Sequence, residues 1–432
     1  MPQRITCLLT LLLVLSGARA SAQTLTSFDR GRALDMLAVV HEDITKYYFD
    51  STYGGADLTA IFDTARARIK NATRVEESLL AIAQATIEVN DGHTLFLPPG
   101  LTQRADYGWS MAFVGDTCRV FGVKPASDAA HQGVTPGDVV YRIEGIAPSR
   151  HNLFYIRYMI SALFPRQSLR VLLSHADQPP REMNLGAEVR EHRRVYDLTG
   201  GHDDVWELIR ESQTVGDSLR SQFAEIGNDV LVWRYRSFGE PKDADEGLKK
   251  ARGHAALVLD LRDNPGGYSM TLLRLLNGIY RDSTTVATVR NRKESNPLIV
   301  KGSRDKVYDG KVIVLVDSRS ASASEAFARS VQLTRRGTVL GDRTMGALRT
   351  ARRYIHQSGT QTIVAYGTQV ATDDFIFPDG SQVEGIGVQP DELVVPSGND
   401  LRDNRDPVFA RALALAGVAR TPEQAARLVW DR

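Results

Sequence analysis

The sequence predicts a multi-domain α+β chain whose largest part is an α/β layer, and three observations carry that expectation. Between residues 226 and 400 strand-like and helix-like runs alternate, as in a largely buried sheet flanked by helices. Between residues 107 and 188 the runs are short and broken by glycine and proline, as in a small β domain. From Ser27 to Val89 apolar side chains recur at helical spacing. A length of 432 residues holds about three domains at roughly 150 residues each.

Residues 1–22 place Arg4 ahead of an apolar run, Leu8 to Leu15, and end in small residues, Ala18-Arg19-Ala20 or Ala20-Ser21-Ala22. This is the layout of a cleavable secretory signal peptide. The run is too short to span a bilayer, which takes about 20 apolar residues. A periplasmic or secreted product without stable membrane insertion is expected, with a retained anchor as the alternative.

A helical region is expected over 27–104. Leu34, Leu37 and Ile44 mark one helix, and Leu58, Ile61, Ala65 and Ile69 mark the next. A third should begin with Thr73 as N-cap and Glu76 closing a capping box, run through Leu79, Leu80, Ala83 and Ile87, and stop at Asn90-Asp91-Gly92. His93 follows at the helix-to-strand corner before Thr94 to Leu97, a place that exposes side chains.

Within 105–190, Pro125 to Gly145 reads PASDAAHQGVTPGDVVYRIEG: a short helix, a turn at Thr135-Pro136-Gly137-Asp138 and a buried strand. This resembles the central part of a PDZ domain, which implies capture of an extended peptide on a sheet edge; a domain that only packs is the alternative. Residues 191–225 read as a charged, partly helical linker with no chemistry. In the α/β part, 226–400, strands are expected at Val230 to Tyr235, Leu257 to Leu261 and Val312 to Val316, and helices around Glu246 to Arg252 and Met270 to Tyr280. The last part, 401–432, reads as packing helices.

Hydrophobic residues at 42%, charged at 24% and aromatic at 7% exclude disorder, collagen-like repeats and a membrane bundle. Lys+Arg 53 against Asp+Glu 52 gives no field for nucleic acid or an anionic surface. Two cysteines, Cys7 and Cys118, are too few for a disulfide framework or a cysteine zinc site. No clustered ligand pattern suggests a metal, and no cofactor is expected.

Three segments carry candidate chemistry. Leu257 to Gly267, LVLDLRDNPGG, is a buried strand ending in a turn whose glycines let backbone N–H groups face outward, as an oxyanion hole requires. Lys311 to Ser330, KVIVLVDSRSASASEAFARS, puts serines between a buried strand and a helix, where the positive helix end favours a developing oxyanion. Phe377 to Asp391, FPDGSQVEGIGVQPD, sets Glu384 among small and apolar neighbours, where a carboxylate can orient a histidine. Each has a plainer alternative: an ordinary turn, N-cap serines at 320, 322 and 324, and a solvated glutamate.

Together these strings, in this order and with the PDZ-like stretch ahead of them, resemble the C-terminal processing (tail-specific) serine protease family. The resemblance implies a ClpP/crotonase-like catalytic core, peptide or protein substrates, and Ser322, the middle serine of SASAS, as nucleophile. In one branch of the family a lysine in a Thr-Phe-Gly-Lys-Gly string is the base. Here that segment is Thr344-Met345-Gly346-Ala347-Leu348, so Ala347 stands in the lysine's place, and Arg343 and Arg349 hold their protons too tightly to replace it. The other branch, similar to the tricorn protease core, uses serine, histidine and glutamate. That pattern implies His93 as base and Glu384, in its Glu-x-x-Gly-x-x-Pro-Asp loop, as orienting acid. It carries a serine just before the histidine, where this chain has Gly92. The implied oxyanion donors are the N–H of Ala323 and one from Gly266-Gly267. The function expected is an exported serine endopeptidase; the alternative is a non-catalytic peptide- or apolar-ligand-binding protein on the same scaffold.

Overall fold

The computed structural model describes residues 24–89, 91–99, 103–176, 178–191, 221–358 and 364–428. The expected signal peptide and most of the expected linker lie outside the described residues.

Strands with near-continuous apolar runs are buried on both faces, and three of these, Lys311–Val316, Ala256–Asp260 and Val230–Arg234, form the middle of the central sheet. Its order is Glu392–Leu393, Gly337–Gly341, Lys311–Val316, Ala256–Asp260, Val230–Arg234 and Gln222–Ile226. All neighbours are parallel except the last pair. Alternate side chains point to opposite layers. Val312, Val314 and Val316 pack under the helices Pro241–Ala251, Ser269–Ile279 and Ala323–Leu333. Ile313 and Leu315 pack against Val408, Phe409 and Leu413 of the helix Pro407–Leu415. Each such side chain, fully buried, contributes about 1.5–3 kcal/mol. The C-terminal helices therefore close the second face of the sheet.

The expected N-terminal region is helical only in part. Helices Ser27–Tyr47, Leu58–Asn71 and Val75–Glu88 share a core with an antiparallel sheet made largely of residues far downstream. That sheet runs Leu95–Leu97, Val364–Ile376, Thr284–Arg290 and Ser295–Val300, with Arg349–Ser358 also paired to Val364–Ile376. Leu95 lies opposite Gln369, so the corner after the third helix is fixed against the far end of the chain. The third helix starts one residue later than expected. Thr24 bridges Arg74 and the Leu25 N–H donates to the Thr73 carbonyl, holding Arg74 extended. Arg74 is the cap, and Glu77 rather than Glu76 accepts the N–H groups of Thr73 and Arg74, at 2.8 and 3.3 Å.

Residues 109–186 form a separate five-stranded antiparallel sheet in sequence order, from Trp109–Val114 to Arg181–Gly186. The short helix is Asp128–His131, and the Thr135–Asp138 turn is closed by Thr135 N–H to Asp138 Oδ2 at 2.9 Å. The strand after it, Val139–Ile143, is half-buried rather than buried, with only Val140 and Ile143 in the core. This unit leans on the carboxyl ends of the central strands. Arg150 donates to both Asp342 oxygens at 2.9 and 2.8 Å, the Gly115 N–H donates to Asp342 Oδ2 at 2.9 Å, and the Ser318 hydroxyl donates to the Phe113 carbonyl.

Candidate active site

The strand Lys311–Val316 delivers the serine string to the carboxyl end of the sheet, where the helix Ala323–Leu333 begins. Ser320 and Ser324 are buried and structural: their hydroxyls donate to the Leu261 and Asn264 carbonyls at 2.7 and 2.9 Å, tying this turn to the neighbouring one. Ser322 occupies the N-cap position, yet its backbone is not that of a capping serine. Its φ is 53° and its ψ −117°, a left-handed geometry that costs a non-glycine residue about 1–3 kcal/mol and persists only when neighbours enforce it. They do so through the Ser322 N–H, which donates to the Ala347 carbonyl at 2.8 Å and to Glu325 Oε2 at 3.0 Å.

The neighbouring strand Ala256–Asp260 leads into Leu261 to Gly267. Asn264 organises this turn: its amide donates to the Tyr235 carbonyl at 2.6 Å, its side-chain oxygen accepts the Gly266 N–H at 2.8 Å, and its carbonyl accepts the Ala321 N–H at 3.0 Å. Both glycines are required by geometry. A Cβ on Gly266 would stand 2.7 Å from Ser322 Cβ and 2.8 Å from Ala323 N, and one on Gly267 would stand 2.2 Å from the Phe238 carbonyl oxygen. Gly266 has thus given its N–H to Asn264. The N–H groups of Gly267 and Ala323 have no recorded acceptor among the described residues, Ala323 being the first residue of its helix.

His93 lies at the expected corner but is buried, only 6% exposed, because the corner is covered rather than open. Its N–H donates to Asp91 Oδ1 at 2.6 Å, and its carbonyl accepts from Gln369 Nε2 at 3.0 Å. Asp91 is held in turn by the Tyr48 hydroxyl at 3.0 Å and by Arg349. The imidazole Nδ1 is buried without a hydrogen-bond partner, and Glu384 Oε2 stands 3.8 Å from it. Glu384 is no solvated loop acid, since its side chain is 12% exposed. Its Oε1 accepts the Gly92 N–H at 3.1 Å and its Oε2 the Leu348 N–H at 2.6 Å. Burial pushes its carboxyl above the usual range and Asp91 adds to this, while His93, Arg349 and the Leu348 N–H oppose it.

Ala347 is the joint between the two groups. Its carbonyl receives the Ser322 N–H, and its methyl lies 3.5 Å from where a Cβ on Gly92 would be. The lysine position of the family string is therefore filled by a methyl packed beside the histidine corner. Three residues of the site have no role in the motif reading: Asp91, which stands in the histidine string, Glu325, which closes the SASASE string at capping-box spacing from Ser322, and Arg349, which follows the Thr344–Leu348 segment. Asp91, His93 and Glu384 each place one ligand atom within 4.8 Å of the others. Arg349 sets a fixed positive charge beside them, which works against a divalent cation and favours proton chemistry.

Residues 229–394 match peptidase family S41. The chain carries a peptidase family S41 domain. The S41 domain includes Ser322, Ala347 and Glu384, whereas His93 lies outside it, in the helical part. The carboxy-terminal-processing protease of Bartonella bacilliformis is 32% identical over 280 residues, 63% of this chain and 57% of that protein. A probable CtpA-like serine protease of Staphylococcus aureus is 31% identical over 337 residues, 73% of this chain and 60% of that one. The chain thus spans about three fifths of these relatives' length. Among solved structures, mature CPAF superposes with a TM-score of 0.65 at 14% identity, over 87% of this chain and 95% of that one. At that identity the likeness is one of fold.

Proposed function

We propose that this chain is an exported serine endopeptidase that hydrolyses peptide bonds of proteins or peptides through Ser322, His93 and Glu384. The observation that carries this reading is the buried, unpartnered Nδ1 of His93 facing Glu384 Oε2 at 3.8 Å. A buried imidazole nitrogen without a partner costs about 1–3 kcal/mol, and an approach of under 1 Å would turn the pair into the hydrogen bond that a catalytic histidine needs.

With Nδ1 turned to Glu384, Nε2 is the nitrogen left for the serine hydroxyl. His93 takes the Ser322 proton as the oxygen attacks the peptide carbonyl, and returns it to the leaving amine; water repeats the cycle on the acyl-enzyme. Imidazole, with an ordinary pKa near 6.5, suits this exchange. Glu384 fixes the tautomer and balances the charge of the imidazolium. The N–H groups of Ala323 and Gly267 receive the oxyanion, with Gly266 as the side-chain-free surface that lets the nucleophile turn close. Removing one such donor costs about 3 kcal/mol in the barrier.

The five-stranded unit over 109–186 fits the PDZ-like role of holding an extended peptide. No helix among the described residues is long and apolar enough to cross a membrane. The deciding experiment is fluorophosphonate labelling of the chain from residue 23, paired with hydrolysis of an unstructured protein. Labelling and hydrolysis that both vanish in Ser322→Ala and in His93→Ala are expected. An unlabelled parent chain, or hydrolysis that survives Ser322→Ala, overturns the reading.

A further inference from the structure

Among the described residues, Glu325 is the least exposed carboxyl, and the mechanism leaves it unused. It is fully buried, and no Lys, Arg or His forms an ion pair with it among the described residues. Instead it accepts four hydrogen bonds. Oε1 takes the Thr344 hydroxyl at 2.6 Å and the Gly346 N–H at 2.7 Å; Oε2 takes the Ala347 N–H at 2.9 Å and the Ser322 N–H at 3.0 Å. Two further contacts extend the tie. The Thr344 hydroxyl accepts the Val388 N–H at 2.6 Å, and the Gly385 N–H donates to the Gly346 carbonyl at 2.7 Å. One carboxyl therefore joins the nucleophile turn, the segment that holds Ala347, and the loop that carries Glu384.

We infer that Glu325 is a positioning residue whose ionised carboxylate locks Ser322 and the Glu384 loop into the reactive arrangement, and whose protonation releases them. This deepens the serine peptidase reading and rests on it. The donors explain the need for charge. A carboxylate offers about four acceptor sites and no donor, and four donors meet it here, three of them N–H groups that cannot reverse. A carboxylic acid either aims its O–H at an N–H or makes the Thr344 hydroxyl turn round to accept it, and in both cases the charge that strengthens the other bonds is gone. The left-handed Ser322 backbone then loses part of what enforces it. Burial raises the carboxyl from its ordinary value to about 7, against the pull of Thr344, Gly346 and Ala347, and the Glu384 carboxylate pushes the same way. Those groups, with the Ser322 N–H, are the polar and charged neighbours that face it. The lock engages as the pH rises through about 7 and opens below it.

The test is the rate of fluorophosphonate labelling of Ser322 from pH 5 to 9. The parent chain is expected to lose reactivity on the acid side with a slope steeper than one proton, since His93 and Glu325 must both be unprotonated. Glu325→Gln should lower the plateau about 100-fold, the scale of a small misplacement of reacting groups, and reduce the slope to one proton. Glu325→Asp, which keeps the charge, should restore the steeper slope. A Glu325→Gln chain that labels at the parent rate with an unchanged slope overturns the inference. If that variant does not melt cooperatively, Thr344→Val decides: it removes a donor that favours the ionised form and should move the acid limb to higher pH, and an unmoved limb overturns the inference. An unlabelled parent chain overturns the peptidase reading and this with it; a labelled parent with a one-proton slope overturns this alone.

Discussion

Glu325 sets stability and reactivity against each other. Its carboxyl, raised by burial to about 7, holds a proton in the folded chain that the unfolded chain would release near its ordinary value. The folded state therefore binds more protons between those two points, and the stability this group contributes falls as the pH climbs through that interval and stays low above it. Reactivity runs the other way. Glu325→Gln, neutral throughout, should flatten the decline of the melting temperature between pH 5 and 8, measured by calorimetry beside the parent chain; an unaltered decline would show that other groups cause it. At this scale the sequence was a partial guide. Ser322, Glu384 and His93 are candidates because strings name them; Glu325 closes the same SASASE string, but no string states that a buried carboxyl will meet four donors and no cation. Its four partners lie on segments that only the folded chain brings together. The burial of His93 was misjudged for a related reason, since the residues that cover its corner, Gln369 among them, belong to a strand far downstream.

The element that matters most is the pair of turns at the carboxyl ends of the strands Ala256–Asp260 and Lys311–Val316. They are built to touch. Asn264 and Ser324 stitch them together, and Gly266 leaves no atom between the Asn264 turn and Ser322 Cβ. Gly266→Ala adds a methyl 2.7 Å from Ser322 Cβ at a φ of 95°, so it should cut kcat for peptide hydrolysis by about 100-fold with KM moving far less. A variant with parent kcat would separate this turn from the chemistry. The alternation of strands and helices was legible because apolar runs with glycine-marked ends state it directly. The start of the third helix was not, because the extended conformation of Arg74 is imposed by Thr24 and Leu25 rather than by local residues. Nor did the turn string tell which glycine N–H is free, since that depends on the rotamer of Asn264.

For the whole molecule, the five-stranded unit and the central sheet meet through Asp342, a buried carboxyl held by Arg150 and the Gly115 N–H. Taking away one partner of such a pair strands a charge in a poorly solvated place and costs about 3–5 kcal/mol. Arg150→Ala should therefore lose about that much in urea unfolding and slow labelling of Ser322, because Asp342 opens the segment that runs to Ala347. Unchanged urea stability would mean that the two units are held by other contacts. The sequence divided the chain into these parts but could not say how they join, as Arg150 and Asp342 sit 192 positions apart in stretches with no motif.

The register of Leu95 opposite Gln369 has one more consequence. The histidine corner is made early in synthesis, while the strand that seats it and the loop bearing Glu384 are made near the end. A partly made or unfolded copy thus carries Ser322, His93 and Glu384 as three unrelated side chains. On the proposed reading such a copy is latent: it is harmless to the machinery that produces it, and its destructive chemistry switches on only with the last act of folding.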